Sequence, residues 1–297
     1  MRNLLLHFIL CLAGCFSLSG CASPFSGLRS SLSQFEQSHV FLPDVYPEGN
    51  WQPAGFEFED AWFTAPDGAR LNGWFLDHEK PAAVILLAHG NAGNVTTNAD
   101  LLRMLHDRHH ASVLIFDYRG YGKSEGKPDE RGILDDARAA RSWLARRANI
   151  EEHDIVLMGE SLGGGVMVDL AAEEGARGLI LLSTFTSLPD VASRRFPLLP
   201  ARALMHNHLD SVAKIGKYHG PLLQAHGEKD HTVSIALGKR LFDAANEPKQ
   251  FIVNSGADHN DPLPETYWKA LDAFLASLPL VHPRPESPRW HRTRTAQ

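Results

Sequence analysis

The sequence predicts an α/β fold in which helices cover both faces of a doubly wound, mostly parallel sheet. Short apolar runs rich in valine, isoleucine and leucine are typical of buried parallel strands. They alternate along the chain with longer segments whose apolar residues recur at helical spacing. With 297 residues, of which 43% are hydrophobic and 22% charged, the chain has the length and composition of one large globular domain.

An antiparallel hairpin opens the predicted domain, and parallel strands follow it in order. Strand-like runs at 56–64 and 71–76 flank Pro66-Asp67-Gly68, a sequence that favours a tight turn. The later runs that predict buried strands are at 83–88, 112–117, 155–158, 178–182, 221–225 and 250–253. The segments that predict helices are at 99–108, 129–147, 162–174, 235–245 and 265–278. This alternation predicts a single parallel sheet and no second domain.

Residues 183–220 interrupt the alternation between two predicted strands. Prolines punctuate this insertion, and it carries large apolar side chains at Phe185, Leu188, Phe196, Leu198, Leu199, Leu204 and Met205. Because open α/β sheets bind ligands at the carboxyl ends of their strands, an insertion there is the expected place for a short lid over a site. A looped helical connection without a role in substrate binding is the alternative interpretation.

The N-terminus predicts an exported, lipid-anchored protein. Residues 1–20 combine an early arginine with an apolar stretch that is short for a membrane span. The sequence Leu-Ser-Gly-Cys at 18–21 resembles the lipobox of bacterial lipoproteins, which implies cleavage before Cys21 and lipid on that cysteine. Cys15, in an earlier Leu-Ala-Gly-Cys, is the alternative lipidation site. An uncleaved signal anchor and an ordinary secretory signal are the other interpretations of this segment.

The same resemblance sets the expected boundaries and location. After the signal peptide, residues 21–50 are predicted to be a tether, 51–280 the folded domain and 281–297 a basic tail. Several acyl chains on one cysteine would hold the domain stably at a membrane. The expected location is the bacterial cell envelope. Alanine rather than aspartate after Cys21 implies the outer membrane if the source is Gram-negative.

Charge and side-chain chemistry exclude several classes of function. A net charge of −6 does not fit a general nucleic-acid-binding protein. All three cysteines fall within the first 21 residues, so the folded body has no cysteine nucleophile, disulfide or thiolate metal site. His106, His109 and His110 have spacings that imitate a metal site, but without a matching carboxylate cluster a solvated helix end is expected. We expect neither metal nor cofactor, and we interpret His89 and His226 as structural residues.

A candidate nucleophile is Ser161, in the sequence Gly-Glu-Ser-Leu-Gly at 159–163. A predicted buried strand precedes this motif, and a predicted helix follows it. A Gly-x-Ser-x-Gly sequence between strand and helix is typical of a serine on a sharp, strained turn. The flanking glycines let the strand and the helix approach each other. The start of the helix favours negative charge beside the hydroxyl.

A serine nucleophile needs a base, and the base needs a carboxylate that orients it. Asp230 and His259 each follow a predicted strand, so both are expected at the carboxyl edge of the sheet, with Ser161. Asp258, which adjoins His259, and Asp210, in the insertion, are alternative acids, although neither ends a strand.

Over about residues 56–278 the chain resembles the α/β-hydrolase superfamily. It is most similar to the small-cap branch of BEM46-like proteins and abhydrolase-domain lipid and palmitoyl-thioester hydrolases. The motifs that carry the resemblance are His-Gly-Asn at 89–91, Asp-Tyr-Arg-Gly-Tyr-Gly-Lys-Ser-Glu-Gly at 117–126, Gly-Glu-Ser-Leu-Gly-Gly at 159–164, His-Gly-Glu-Lys-Asp at 226–230 and Asp-His at 258–259.

The resemblance implies a role for each of five residues. Ser161 would be the nucleophile, His259 the general base and then acid, and Asp230 the residue that orients His259. The backbone N–H groups of Asn91 and Leu162 would bind the oxyanion. Losing one such donor typically raises the barrier by about 2.7–4 kcal/mol, so the tetrahedral intermediate is the species that this site would favour.

The expected function is hydrolysis of carboxylic esters or thioesters through acylation of Ser161. The expected partners are a small-molecule ester or acyl substrate and, through the lipid anchor, a membrane. The apolar insertion and the anchor are the only support for a hydrophobic acyl group. A peptidase or aminopeptidase with the same catalytic residues is one alternative, and a non-catalytic envelope protein that binds a lipid or a partner is another.

Overall fold

The computed structural model of the chain describes residues 36–55, 57–198 and 200–281. The predicted signal peptide, both candidate lipidation cysteines (Cys15 and Cys21) and the basic tail from residue 282 onwards lie outside the described residues. Among the helices that are described, none has the length and apolar character needed to cross a bilayer.

The strands of the described chain form one large sheet and one short ladder. They are β1 (Leu42–Pro43), β2 (Glu59–Thr64), β3 (Arg70–Leu76), β4 (Ala83–Ala88), β5 (Ala92–Gly93), β6 (Ala111–Phe116), β7 (Val156–Glu160), β8 (Gly178–Leu182), β9 (Leu222–Gly227) and β10 (Lys249–Asn254). The large sheet has the order β10-β9-β8-β7-β4-β6-β3-β2, and β1 pairs with β5. β3 is antiparallel to both β2 and β6, whereas the other ladders are parallel. The predicted sheet, with its antiparallel hairpin, is confirmed.

The helices lie between these strands as the alternation predicts. They are α1 (Ala99–Arg103), α2 (Glu130–Ala148), α3 (Leu162–Glu174), α4 (Leu188–Arg195), α5 (Ala201–Leu204), α6 (Ser211–Lys214), α7 (Ile235–Ala244) and α8 (Glu265–Ser277). A π-helical turn, Met104–Arg108, extends α1. Short 3₁₀ turns lie at Val95–Asn98, Glu152–Asp154 and Ile215–Lys217.

Strand side chains alternate between two apolar cores, one on each face of the sheet. Ile85 and Leu86 are neighbours in β4 and are both fully buried, yet they pack in different cores. Leu86 packs in the core that includes α2 and α3, and Ile85 in the core that includes α8. Because helices cover both faces, the central strands are buried throughout, which explains their unbroken apolar sequences.

Several boundaries differ from the sequence-based prediction by one or two residues, and two differ by more. The first hairpin strand is predicted to begin at residue 56. It begins at Glu59, because its pairing with β3 begins there. The tether, predicted to extend to residue 50, ends earlier, because Phe41 is buried and Leu42–Pro43 pairs with the large domain through β5. These contacts join residues that are far apart in sequence, so no local sequence pattern predicts them.

The predicted insertion is a set of short helices, α4, α5 and α6, joined by turns. Ser187 caps α4 by accepting a hydrogen bond from the Asp190 N–H, and Pro189 occupies the first turn, where it costs no backbone hydrogen bond. The segment therefore forms local helices between β8 and β9 without adding a strand to the sheet.

Candidate active site

Ser161 occupies a strained turn between β7 and α3. Its φ of 50° and ψ of −112° lie outside the regions that a serine normally adopts. The turn is so tight that a Cβ at Gly159 would lie 2.3 Å from the Gly163 carbonyl oxygen, and one at Gly163 would lie 2.1 Å from the Ala88 carbonyl oxygen. The two glycines of the motif are therefore required by close backbone approach, as the sequence predicts.

The surrounding backbone holds Ser161 in this conformation. Its N–H donates to the Leu182 carbonyl at 2.9 Å, and its carbonyl accepts from the Thr184 hydroxyl at 2.9 Å. A strained residue persists only when neighbouring contacts over-determine it. β8 and the residues that follow it thus fix the position from which the hydroxyl projects.

His259 lies between Ser161 and Asp230 and contacts both side chains. The Ser161 Oγ lies 3.1 Å from the His259 Nε2, and the His259 Nδ1 lies 2.6 Å from the Asp230 Oδ2. An Nδ1–H that donates to the carboxylate leaves Nε2 as the acceptor for the serine proton. The three residues come from the ends of β7, β9 and β10, which meet at one edge of the sheet.

Asp230 accepts hydrogen bonds from three N–H donors, and the His226 ring, which hydrogen-bonds the Val233 carbonyl at 2.8 Å, lies against it as well. Its Oδ1 accepts from the backbone N–H groups of Thr232 and Val233, at 2.9 and 2.7 Å. Its Oδ2 lies 3.2 Å from the Nε2 of His226 as well as against His259. Burial by itself would raise the pKa of Asp230, but the contacts with His226, His259 and the Val233 N–H lower the pKa well below its usual value. The carboxylate therefore stays ionised beside His259.

The two alternative acids, Asp258 and Asp210, interact with other groups. Asp258 accepts from the backbone N–H groups of His231 and His259 and lies beside the His231 ring, so it contacts the His259 backbone rather than its imidazole. Asp210 pairs with Arg202 at 2.9 Å. Asp230 is the carboxylate that the structure brings to the His259 ring.

Glu160, one residue before Ser161, is a second carboxyl in this region. Burial raises its pKa, and positive charge on His259 or His89 would lower the pKa only in part. The two carboxyls near His259 are therefore pushed in opposite directions by their surroundings.

The residues predicted to supply the oxyanion donors, Asn91 and Leu162, line the same cavity as Ser161. Leu162 begins α3, whose first N–H groups have no partner within the helix. The Asn91 N–H and the Gly90 carbonyl belong to the same peptide group. The carbonyl of this group accepts a hydrogen bond from the His89 Nδ1 at 2.8 Å. His89 is buried, with its Nε2 3.5 Å from the Asp117 Oδ1, and it orients this peptide. The structural role predicted for His89 thus includes a contact with the peptide group whose N–H is the predicted oxyanion donor.

A cavity of about 650 Å³ opens above Ser161, within the usual size range of small-molecule sites. The insertion supplies much of its apolar wall, through Leu188, Val191, Phe196, Ala201, Leu204 and Met205. Residues 36–42 supply a further wall, which sequence reasoning missed. Glu36, 6% exposed, fixes that wall to the insertion by accepting the backbone N–H groups of His206 and Asn207.

Within the described residues, no group of three or more His, Cys, Asp or Glu is arranged to hold a metal ion. The expectation of a solvated helix end is wrong for His109, because its ring is buried against Trp268 and contacts Asp272 at 2.6 Å. Burial lowers the pKa of His109, although Asp272 opposes that effect. His226, interpreted from sequence as structural, also contacts the Asp230 carboxylate. Its four-residue separation from Asp230 is the signal that sequence reasoning left unused.

Comparison with known proteins shows the family of this chain. The family model for the alpha/beta hydrolase fold matches residues 83–205. The bem46 protein of Schizosaccharomyces pombe is 31% identical over 258 residues, which are 81% of this chain and 86% of bem46. The chain belongs to the α/β-hydrolase family. The predicted superfamily and its bem46 branch are thus confirmed.

Other known proteins are similar to this chain in sequence or in fold. An uncharacterised protein of Mycobacterium tuberculosis is 41% identical over 242 residues, which cover 80% of this chain and 85% of the relative. The solved structure of the Pyrococcus furiosus esterase Pf2001 has a TM-score of 0.66 and 22% identity, and covers 80% of this chain and 99% of its own. At that identity the likeness concerns the fold.

Proposed function

We propose that this α/β-hydrolase is a serine hydrolase that cleaves carboxylic esters or thioesters through an acyl-enzyme. The observation that carries the proposal is the relay from Asp230 through His259 to the Ser161 hydroxyl, with contacts of 2.6 and 3.1 Å. Nucleophile, base and orienting carboxylate within hydrogen-bond reach are the usual signature of nucleophilic catalysis. The likeness in fold to an esterase is consistent with this reaction class.

In the proposed reaction, His259 Nε2 accepts the Ser161 proton as Oγ attacks the acyl carbon. The N–H groups of Asn91 and Leu162 stabilise the oxyanion, and Asp230 stabilises the imidazolium. The imidazolium then protonates the departing alcohol or thiol as its bond to the acyl carbon breaks. A water molecule that His259 deprotonates attacks the acyl-enzyme, and Ser161 recovers its proton as the acid leaves.

The apolar cavity wall supports a hydrophobic acyl group. Leu188, Val191 and Leu204 line the cavity beside Ser161. Neither rival function gains support from a particular observation. A peptidase that clamps a substrate amine would need a free carboxylate, yet Glu36, the acidic residue in the described lining, has both oxygens engaged by N–H groups of the insertion. A non-catalytic binding protein has no need of the complete relay.

The first test is reaction of the purified domain with a fluorophosphonate probe, followed by intact-mass measurement. We expect one adduct per chain on Ser161, and no adduct in Ser161→Ala or His259→Ala, because attack needs both the hydroxyl and its base. A folded domain that takes up no probe, or one still labelled after Ser161→Ala, would show that Ser161 is not an activated nucleophile.

We further propose that the domain is anchored in the bacterial cell envelope by lipid on Cys21, with Cys15 as the alternative. The support is the lipobox resemblance at 18–21. The check is the intact mass of the full-length protein from membranes. Cys21→Ser should abolish the acyl mass increment. If Cys15→Ser abolishes the increment instead, the lipidation site is Cys15.

A further inference from the structure

Two arginines, Arg194 and Arg195, line the cavity that holds the proposed nucleophile. α4 turns one apolar face towards the cavity, with Leu188 and Val191, and the same face ends at Arg195. Arg194 also lines the cavity, and its Nη1 donates to the Ser234 hydroxyl at 3.1 Å. Positive charge therefore stands at the end of an otherwise apolar wall.

Within the described chain, the charges of these two arginines are not neutralised by an ion pair. No carboxylate among the described residues forms an ion pair with Arg194 or Arg195, whereas Arg202 and Arg240, nearby, both lie close to Asp190. Glu36 lines the same cavity but is 6% exposed, and its oxygens accept N–H groups of His206 and Asn207. The positive charge of the wall is thus left for a ligand.

We propose that the substrate is an amphiphilic acyl ester or thioester whose alcohol or thiol half bears a phosphate, which Arg194 and Arg195 bind. This inference rests on the proposed hydrolase function and specifies its substrate class. The apolar walls suit the acyl chain, which leaves the other half of the molecule to reach the arginines. Guanidinium groups pair with phosphate through parallel N–H bonds, which a neutral leaving group does not offer.

The proposal is tested with two soluble esters of the same chain, decanoylglycerol and decanoylglycerol phosphate. We expect kcat/KM to be about tenfold higher for the phosphate ester at low salt, and the ratio to fall as salt rises, because both arginines are exposed to solvent. In the Arg194→Gln, Arg195→Gln double variant the ratio should fall to about one. The corresponding double lysine variant should recover part of it, because the charge is kept.

The matched control is Arg146→Gln. Arg146 is an exposed arginine without an ion pair in the described chain, in the last turn of α2 and outside the cavity lining. This variant should keep the wild-type ratio. A wild-type ratio near one would overturn the proposal, and so would a ratio that the double glutamine variant leaves unchanged.

Fluorophosphonate labelling of the same preparations separates this inference from the function on which it rests. If Ser161 is labelled but the phosphate ester is not preferred, the substrate class is wrong and the hydrolase proposal stands. If Ser161 is not labelled, both fail. The phosphate could belong to a lipid or to a water-soluble thiol, and two substrates distinguish these sources. One is a lysophospholipid in vesicles, and the other is a water-soluble acyl thioester of a phosphorylated thiol. The activity of the wild type and of the double glutamine variant is measured on each. Loss of activity in the variant on either substrate supports the proposal, and loss on neither overturns it.

Discussion

The loops around Ser161 and the insertion at 183–220 border the same cavity but are built differently. Ser161 and Asp230 are 7% and 8% exposed, and backbone hydrogen bonds hold both in place. The insertion consists of short helices, and Leu198 on its outer side is 97% exposed. The loops around Ser161 are fixed by the sheet, whereas α4 and α5 of the insertion leave several residues exposed at its surface.

From this difference we expect the strand-end loops to carry the proposed catalytic step and the insertion to determine which substrate is bound. A relay needs positions accurate to a fraction of an ångström, which strand ends embedded in a packed sheet provide. Side chains of a surface insertion change the shape and charge of the cavity without disturbing the sheet. Substitutions at the strand ends should therefore remove activity or stability, and substitutions in the insertion should redirect specificity.

The largest effect is expected for Asp230→Asn. The amide cannot stabilise the imidazolium of His259 and favours the wrong tautomer, so kcat/KM for a short-chain ester should fall by about 10³–10⁴-fold. Asp258→Asn is the matched control, because Asp258 contacts the His259 backbone and not its ring. It should stay within about tenfold of wild type. Equal losses in the two variants would show that the strand-end relay is not specific to Asp230.

A stability effect is expected for Gly163→Ala. Its Cβ would meet the Ala88 carbonyl oxygen at 2.1 Å, so β4 and α3 must separate, and the free energy of unfolding should fall by about 2–4 kcal/mol. Gly216→Ala is the control. The nearest atom to its Cβ would be 3.7 Å away, and the change should stay within about 0.5 kcal/mol. Urea titration measures both, and similar stabilities would contradict the close-approach argument.

The smallest effect is expected in the insertion, for Val191→Phe. The larger ring would fill part of the cavity, so the preference for decanoate over butanoate esters should fall by about tenfold while the fold is kept. Ser193→Phe, on the same helix but outside the cavity lining, should leave the preference unchanged. Ratios of kcat/KM across an ester series decide this. A loss of butanoate activity as large as that in Asp230→Asn would remove the distinction between the two regions.

Sequence reasoning reached the fold and the members of the relay but missed part of the cavity. Strand runs, the Gly-x-Ser-x-Gly turn and strand-end residues are local patterns, so Ser161, Asp230 and His259 could be named as candidates. The wall at residues 36–42 depends on pairing of Leu42–Pro43 with Ala92–Gly93, fifty residues later in the chain. No periodicity within such a short segment predicts that pairing.

The sequence by itself determined the order of strands and helices, because apolar periodicity dictates which backbone segments are buried. It also determined the sharp turn at Ser161, since the flanking glycines alone permit the approach of β4, β7 and α3. Only the tertiary structure decided that His226 contacts the Asp230 carboxylate together with His259, and that Arg194 and Arg195 line the cavity without an ion pair from the described residues. Those properties arise from packing between distant segments, where neighbours in space, rather than in sequence, set charge and hydrogen bonding.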